Sequence, residues 1–200
     1  MYETVLFPYP VIETEHLILR KPKRSDAADM FELCRRPETS RYSLWSPHKS
    51  VAETKDFISY KLSALKKGLI PPLFAVAEKD GSRVIGTASY VSADEYFKTV
   101  EIGYSVLSDL WNRGYGTEIA NGLMGYAFDR MEVQRVFARV LPPNVASARV
   151  LEKLGFVYEG HIKKGYYFDG RVSDVDIYAV TDDMYFNEEK SNGITEDCKL

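Results

Sequence analysis

Apolar positions along the chain follow two periods, one suited to strands and one to helices. His16 to Lys21 reads HLILRK, a short run that predicts a first strand. Ala27, Met30, Phe31 and Cys34 then recur at helical spacing, with Asp26 placed as N-cap and Pro37 just beyond the end. Phe57, Ile58, Leu62 and Leu65 share one face of a second helix, from about Val51 to Lys67 and ended by Gly68. The runs LFAVAEK and RVIGTASYV flank Asp80-Gly81, a hairpin dipeptide, and Thr99 to Leu107 alternates as a further strand. Ile119, Ala120, Leu123, Met124, Ala127, Phe128 and Met131 trace one face of a long helix. Arg135 to Leu141 forms a strand stopped by Pro142-Pro143. A short helix follows, with Val150, Leu151 and Leu154 inward and Gly155 at C′. Two last strands, about Val157 to Phe168 and Arg171 to Val180, surround the turn dipeptide Asp169-Gly170.

This order predicts a single mixed α/β (α+β) domain over residues 1–186: a mostly antiparallel central sheet flanked by helices, with a strand–helix–strand unit near its centre. Residues 187–200 are polar and aperiodic, and are expected to be a disordered tail.

Composition narrows the function classes. The chain has 200 residues and a net charge of −3, which argues against direct nucleic-acid binding through a broad basic face. No apolar run is long enough for a membrane span, and the first residues lack the pattern of a signal peptide. The two cysteines, Cys34 and Cys198, form no disulfide framework. His16, His48 and His161 have no ligand spacing, so no metal is expected and a reducing cytoplasmic setting is.

The stretch LWNRGYGTEIA, Leu110 to Ala120, places Gly114 and Gly116 where a strand gives way to a helix. The first helical N–H groups have no partner within the helix, so such a turn is suited to an anion. Glycine would let the backbone approach it closely. Thr117 could add a hydroxyl and Arg113 a charge. Neither the GxxxxGK[ST] nor the GxGxxG nucleotide signature fits, and for two glycines alone an empty tight turn is the favoured reading.

A second motif lies downstream: Asn144, Ser147 and the run LEKLGF. With WNRGYGTE it resembles the GNAT superfamily of acyl-CoA-dependent N-acyltransferases. The stretches ETEHLILRKPKRSDAADM, EIGYSVLSDLWNRGYGTE and NVASARVLEKLGFVYEG followed by DGRVSDVDIYAV are similar to its ribosomal-protein N-terminal acetyltransferase (RimJ/RimL-like) branch. The likeness runs from about Glu13 to Val180.

It implies a GNAT-type fold and acetyl-CoA as co-substrate. The pyrophosphate would lie at Arg113, Gly114, Tyr115, Gly116 and Thr117, and the rest of the cofactor against Val106 and Asn144. It also implies direct acetyl transfer, through a tetrahedral intermediate, to a primary amine. The foremost acceptor is the α-amine of a protein such as a ribosomal protein. A small amine (polyamine, amino acid or antibiotic) and a non-catalytic acyl-CoA-binding protein are the alternatives, and a homodimer is compatible with the resemblance. Two positions depart from the family pattern. Trp111 stands where Gln or Arg is usual, and Leu151 stands where many members carry a tyrosine general acid.

Acetyl transfer needs a neutral amine. An α-amine, with a pKa of roughly 8 against about 10.4 for lysine, loses its proton more readily. Glu101, on the strand before the glycine turn, is the first candidate base, directly or through a water. A surface carboxylate or structural ion pair is the alternative reading. Alternation puts Glu101 with Gly103 and Ser105, opposite Ile102 and Tyr104. Asn144 is placed to cap its helix, and the resemblance adds a cofactor contact that one amide geometry would not satisfy together with the cap. By resemblance Ser147 is the proton donor to the leaving thiolate; a second cap or packing role is the alternative. Glu118 is expected to complement the helix dipole. By resemblance the last hairpin, with Tyr158, Tyr166, Tyr167 and Phe168, walls the acceptor cleft, though most of these aromatics are expected to pack. The loop Arg41 to Ser50 is expected to face the substrate, with Trp45 either a recognition residue or a buried anchor.

Overall fold

The structure, a computed structural model, describes residues 9–43, 45–67, 72–79, 81 and 83–191. Its strands are β1 (Ile12–Glu13), β2 (Leu17–Arg20), β3 (Leu73–Glu78), β4 (Val84–Asp94), β5 (Thr99–Val106), β6 (Arg135–Val140), β7 (Val157–Phe168) and β8 (Arg171–Thr181). The helices are α1 (Ala27–Cys34), α2 (Pro37–Ser40), α3 (Val51–Lys66), α4 (Tyr115–Met131), α5 (Val145–Lys153) and α6 (Asp182–Ser191).

The eight strands form one sheet in the order β1-β2-β3-β4-β5-β6-β8-β7. Every neighbouring pair is antiparallel except β5 and β6. Helix α4 makes the crossover between those two parallel strands. The seven residues expected on its inner face are all buried in the main core. Each large apolar side chain buried this way contributes roughly 1.5–3 kcal/mol, which outweighs the loss of about 1 kcal/mol for a glycine inside a helix. The opposite face of the sheet carries α1 and α3, where Ala27, Met30 and Ile58 pack on Ala75 and Val84. The β7–β8 turn has positive φ at both Asp169 (49°) and Gly170 (75°), the conformation expected of a two-residue hairpin loop.

Several local expectations are corrected. Asp26 stands at the N-cap position of α1, but its side chain makes no cap bond to that helix. Its carboxylate takes a bidentate bond from Arg20 (2.8 and 3.0 Å) and one from the Lys23 N–H (2.7 Å), closing the single turn Arg24–Asp26. Pro37 starts the short helix α2 at its first turn, where its missing N–H is no loss. The edge strand β1 is too short to show a period. Helix α6 carries the chain to Ser191, into the segment expected to be disordered. Gly68, Asp80 and residues 192–200, with Cys198, lie outside the described residues. No described helix is long and apolar enough to cross a membrane.

Candidate active site

The parallel ladder between β5 and β6 is short. It holds Thr99 to Arg135, Val100 to Val136 and Glu101 to Phe137, and ends there. Both strands continue, β5 to Val106 and β6 to Val140, so they splay. From Ile102 onward β5 has β4 on one side and no strand on the other. Backbone groups along such an edge are available to an extended ligand. Two adjoining clefts open at the splay, of about 520 and 250 Å³. Tyr42, Ser43, Tyr104, Asn144 and Ser147 border both.

The larger cleft lies over the start of α4. Gly114 is the N-cap, with φ 89° and no side-chain cap. The first bond of the helix runs from the Glu118 N–H to the Gly114 carbonyl, so the N–H groups of Tyr115, Gly116 and Thr117 precede the ladder. A Cβ added at Gly114 would meet no protein atom within 4 Å and would stand in open space. At Gly116 it would make ordinary contact with Tyr104 (3.6 Å) and Val150 (3.8 Å). Close approach to a ligand therefore depends on Gly114. Val106, Tyr115, Gly116 and Thr117 line this cleft, as does Trp111, whose indole donates to the Val106 carbonyl (2.9 Å). Arg113 is exposed and does not line it. The cleft's cations are Arg149 and Lys153, one helical turn apart on α5. Their spacing was the available sequence signal, but they read as an ordinary solvated face.

Glu118 does more than complement the dipole. It accepts from Thr14 Oγ1 and from the backbone N–H of His16 (2.7 Å), tying the β1–β2 turn to α4.

The junction of the clefts carries hydroxyls and an amide. Asn144 caps α5, its Oδ1 accepting from the Ser147 N–H at 3.3 Å. The expected conflict between cap and ligand is resolved, because the cap uses the oxygen and leaves the Nδ2 donors. The Ser147 hydroxyl is 3.2 Å from the Tyr104 phenol. Burial pushes that phenol up to about 12, against a smaller lowering by Ser147, so it stays protonated near neutral pH. Tyr104 was not expected here, since alternation assigned it to the face away from Glu101; the splay makes both faces of β5 border the cleft. Leu151 is fully buried in the core and supplies no chemistry.

The smaller cleft is floored by Glu101. Its carboxylate is buried and paired with Arg139 through Nε (2.9 Å) and Nη2 (2.8 Å), and it accepts from Ser92 Oγ at 3.2 Å. The structure thus has the ion pair that was the alternative reading for Glu101, and three of roughly four acceptor positions are occupied. Glu101 is nevertheless the only carboxylate among the described residues lining this cleft. Lys61 of α3, Trp45 and Tyr166 line it too. Tyr158 and Tyr167 are exposed and border neither cleft. Cys34 is buried, with its thiol pushed up to about 12 by desolvation, which leaves it inert as a nucleophile.

Residues 16–157 match the family model described as Acetyltransferase (GNAT) domain. The chain belongs to the GNAT acetyltransferase family. It is 28% identical over 175 residues to the uncharacterized N-acetyltransferase YoaA of Bacillus subtilis (strain 168), covering 86% of this chain and 97% of that one. It is 20% identical to a spermidine N(1)-acetyltransferase of Vibrio cholerae, over 87% of this chain and 98% of the relative. Among solved structures, a GNAT acetyltransferase from Bacillus anthracis superposes with a TM-score of 0.76 at 25% identity, covering 87% and 99% of the two chains. RimL, described as a ribosomal L7/L12 alpha-N-protein acetyltransferase in complex with coenzyme A, superposes with a TM-score of 0.74 at 21% identity, covering 88% and 99%. The protein is therefore an N-acetyltransferase of the GNAT type.

Proposed function

We propose that this GNAT enzyme takes acetyl from acetyl-CoA, bound in the larger cleft, and delivers it to a primary amine entering the smaller one. The observation that carries this reading is the meeting of the two clefts at the Ser147–Tyr104 pair, beside the unpaired edge of β5. The chain fits the co-substrate. The start of α4 offers unpaired N–H groups to phosphates, the open space at Gly114 leaves room for them, and Arg149 and Lys153 add charge. When bound, acetyl-CoA supplies an activated acyl group on a thiol leaving group.

The chain's own residues then divide the work. Asn144 orients the ligand through Nδ2, and backbone N–H groups along β5 polarise the carbonyl. Glu101 accepts an N–H of the incoming amine with the lone pair that Arg139 and Ser92 leave, holding the nitrogen lone pair toward the junction. Ser147 donates its proton to the departing sulfur and the Tyr104 phenol resupplies it. The proton that the attacking nitrogen gives up leaves through Glu101 to solvent, and Tyr104 recovers one from solvent.

For the acceptor we propose an α-amine at a protein N-terminus, foremost that of a ribosomal protein. RimL's described substrate and the readier deprotonation of an α-amine support this. The spermidine-acetylating relative favours a polyamine, but a cleft with two cations, Lys61 and Arg139, and one paired carboxylate is poorly matched to a polycation.

The test is thiol release from acetyl-CoA with peptides, polyamines and aminoglycosides, each product weighed for an added acetyl. Acetyl-CoA binding without release for any amine would reject the reading. In Glu101→Gln, kcat is expected to drop at least about tenfold with acetyl-CoA affinity held. A wild-type pH–rate profile in that variant would remove Glu101 from the chemistry.

A further inference from the structure

The smaller cleft is lined by two cationic side chains, Lys61 and Arg139, and one anionic one, Glu101. Lys61 Nζ sits 5.6 Å from the centre of the Phe57 ring, and no described carboxylate pairs with it. Desolvation lowers its pKa, and no charged partner offsets this. Arg139 gives Nε and Nη2 to Glu101, and its Nη1 has no described acceptor. Trp45, on the wall of the same cleft, has an indole N–H sealed from solvent and without a described acceptor. Against these donors stands one carboxylate, Glu101, already accepting three bonds. A half-desolvated ammonium that meets no counter-charge among the described residues is complemented by one on the occupant.

We infer that the acceptor carries an anionic group, a carboxylate or a phosphate, close to its amine, and that Lys61 receives it. This rests on the transferase reading, and it selects within it: amino acids, aminoalkyl phosphates and peptides with an acidic residue near the N-terminus fit, whereas polyamines and aminoglycosides do not. The volume of about 250 Å³ suits an acceptor of that size, or the first residues of a peptide. Glu101 would meet the amine end while Lys61 meets the anion.

The experiment uses matched acceptors. An amino acid is compared with its amide, phosphoethanolamine with ethanolamine, and a peptide beginning Ser-Asp with one beginning Ser-Asn, in the wild type, Lys61→Gln and Lys61→Arg. Acetyl transfer is read as KM and kcat. Thermal stabilisation of the coenzyme A-loaded protein by each amine is read separately. The anionic member of at least one pair is expected to show a KM lower by about tenfold or more. That advantage should disappear in Lys61→Gln and persist in Lys61→Arg, with the KM for acetyl-CoA unchanged. The carboxylate and phosphate arms identify the preferred anion.

Preference for amides or polyamines would overturn the inference while leaving the transferase reading intact. So would a Lys61→Gln variant that slows every acceptor equally, because Lys61 would then act as a base. If nothing is acetylated but anionic amines stabilise the wild type and not Lys61→Gln, the anion site stands and the transferase reading falls. The absence of both acetylation and Lys61-dependent stabilisation would overturn the inference.

Discussion

Single residues in this cleft separate backbone effects from side-chain chemistry. Gly114 and Gly116 look equivalent in the sequence, yet only Gly114 has positive φ, and only there would a Cβ stand clear of all protein atoms. Gly114→Val is expected to abolish coenzyme A binding while the fold persists, at a stability loss of about 1–2 kcal/mol for a branched residue at left-handed φ. Gly116→Ala is expected to bind within a few-fold of wild type. Calorimetric titration of both variants checks the pair, and equal losses would mean that the turn works by sequence spacing and not by room at one position. The Ser147–Tyr104 contact of 3.2 Å predicts a different kind of result. Ser147→Ala is expected to lower kcat by about 10²-fold, and Tyr104→Phe to lower it less. If the two hydroxyls form one proton path, the double variant should be no slower than Ser147→Ala alone. Multiplying effects would show that they act separately.

At the scale of elements, helix α5 depends on Asn144 in two ways that substitution can pull apart. Oδ1 caps the helix at the Ser147 N–H, and Nδ2 remains for the ligand. Asn144→Ala should lose both, lowering stability by about 1 kcal/mol and raising the KM for acetyl-CoA. Asn144→Asp keeps an oxygen at the cap and removes the donors, so the melting temperature should hold while the KM rises. A KM that follows stability in both variants would leave the cap as the residue's sole role. The same elements show what the sequence made legible. Long periodic segments such as α4, and the hairpin at Asp169-Gly170, were readable because local spacing and turn chemistry determine them. The two-residue strand β1 and helix α6 were not, since one is held by pairing with β2 and the other has a single apolar run, Met184 to Phe186, whose packing on the core and on Phe128 only the fold creates. The helix-start pattern gives the position of Asp26 and not the use of its side chain, whose partner is Arg20 on a neighbouring strand.

Over the whole molecule, the site depends on contacts that only the fold creates. Glu101 meets Arg139 across the parallel strand pair, and Lys61 reaches the same cleft from a helix on the far side of β3 and β4 in the chain. The glycine turn and the Asn144–Ser147 spacing could be read locally; the charge balance of the acceptor cleft could not. The helical layer over that cleft is joined through His48. Its backbone N–H donates to the Cys34 carbonyl at 3.1 Å, its Nδ1 is 2.8 Å from Thr54 Oγ1, and its ring meets Phe57 edge-on. Burial lowers the His48 pKa, with Glu53 opposing weakly, so the folded protein holds the ring neutral. The unfolded chain, with an ordinary value of about 6.5, binds the proton first as pH falls. The stability that His48 contributes is thus complete above about 6.5 and is lost as pH falls through the lower folded value. His161 works in the opposite sense, because Asp176 and Asp174 raise its pKa, so the wild-type curve alone does not isolate the effect. The informative quantity is the difference in melting temperature between wild type and His48→Gln, measured from pH 7.5 to 5. Loss of the ring's contacts should leave the variant less stable at the upper end, and the gap should narrow steadily toward pH 5. A gap independent of pH would show that His48 keeps the same protonation in folded and unfolded chains, and that the layer over the cleft has no acid-sensitive joint at this position.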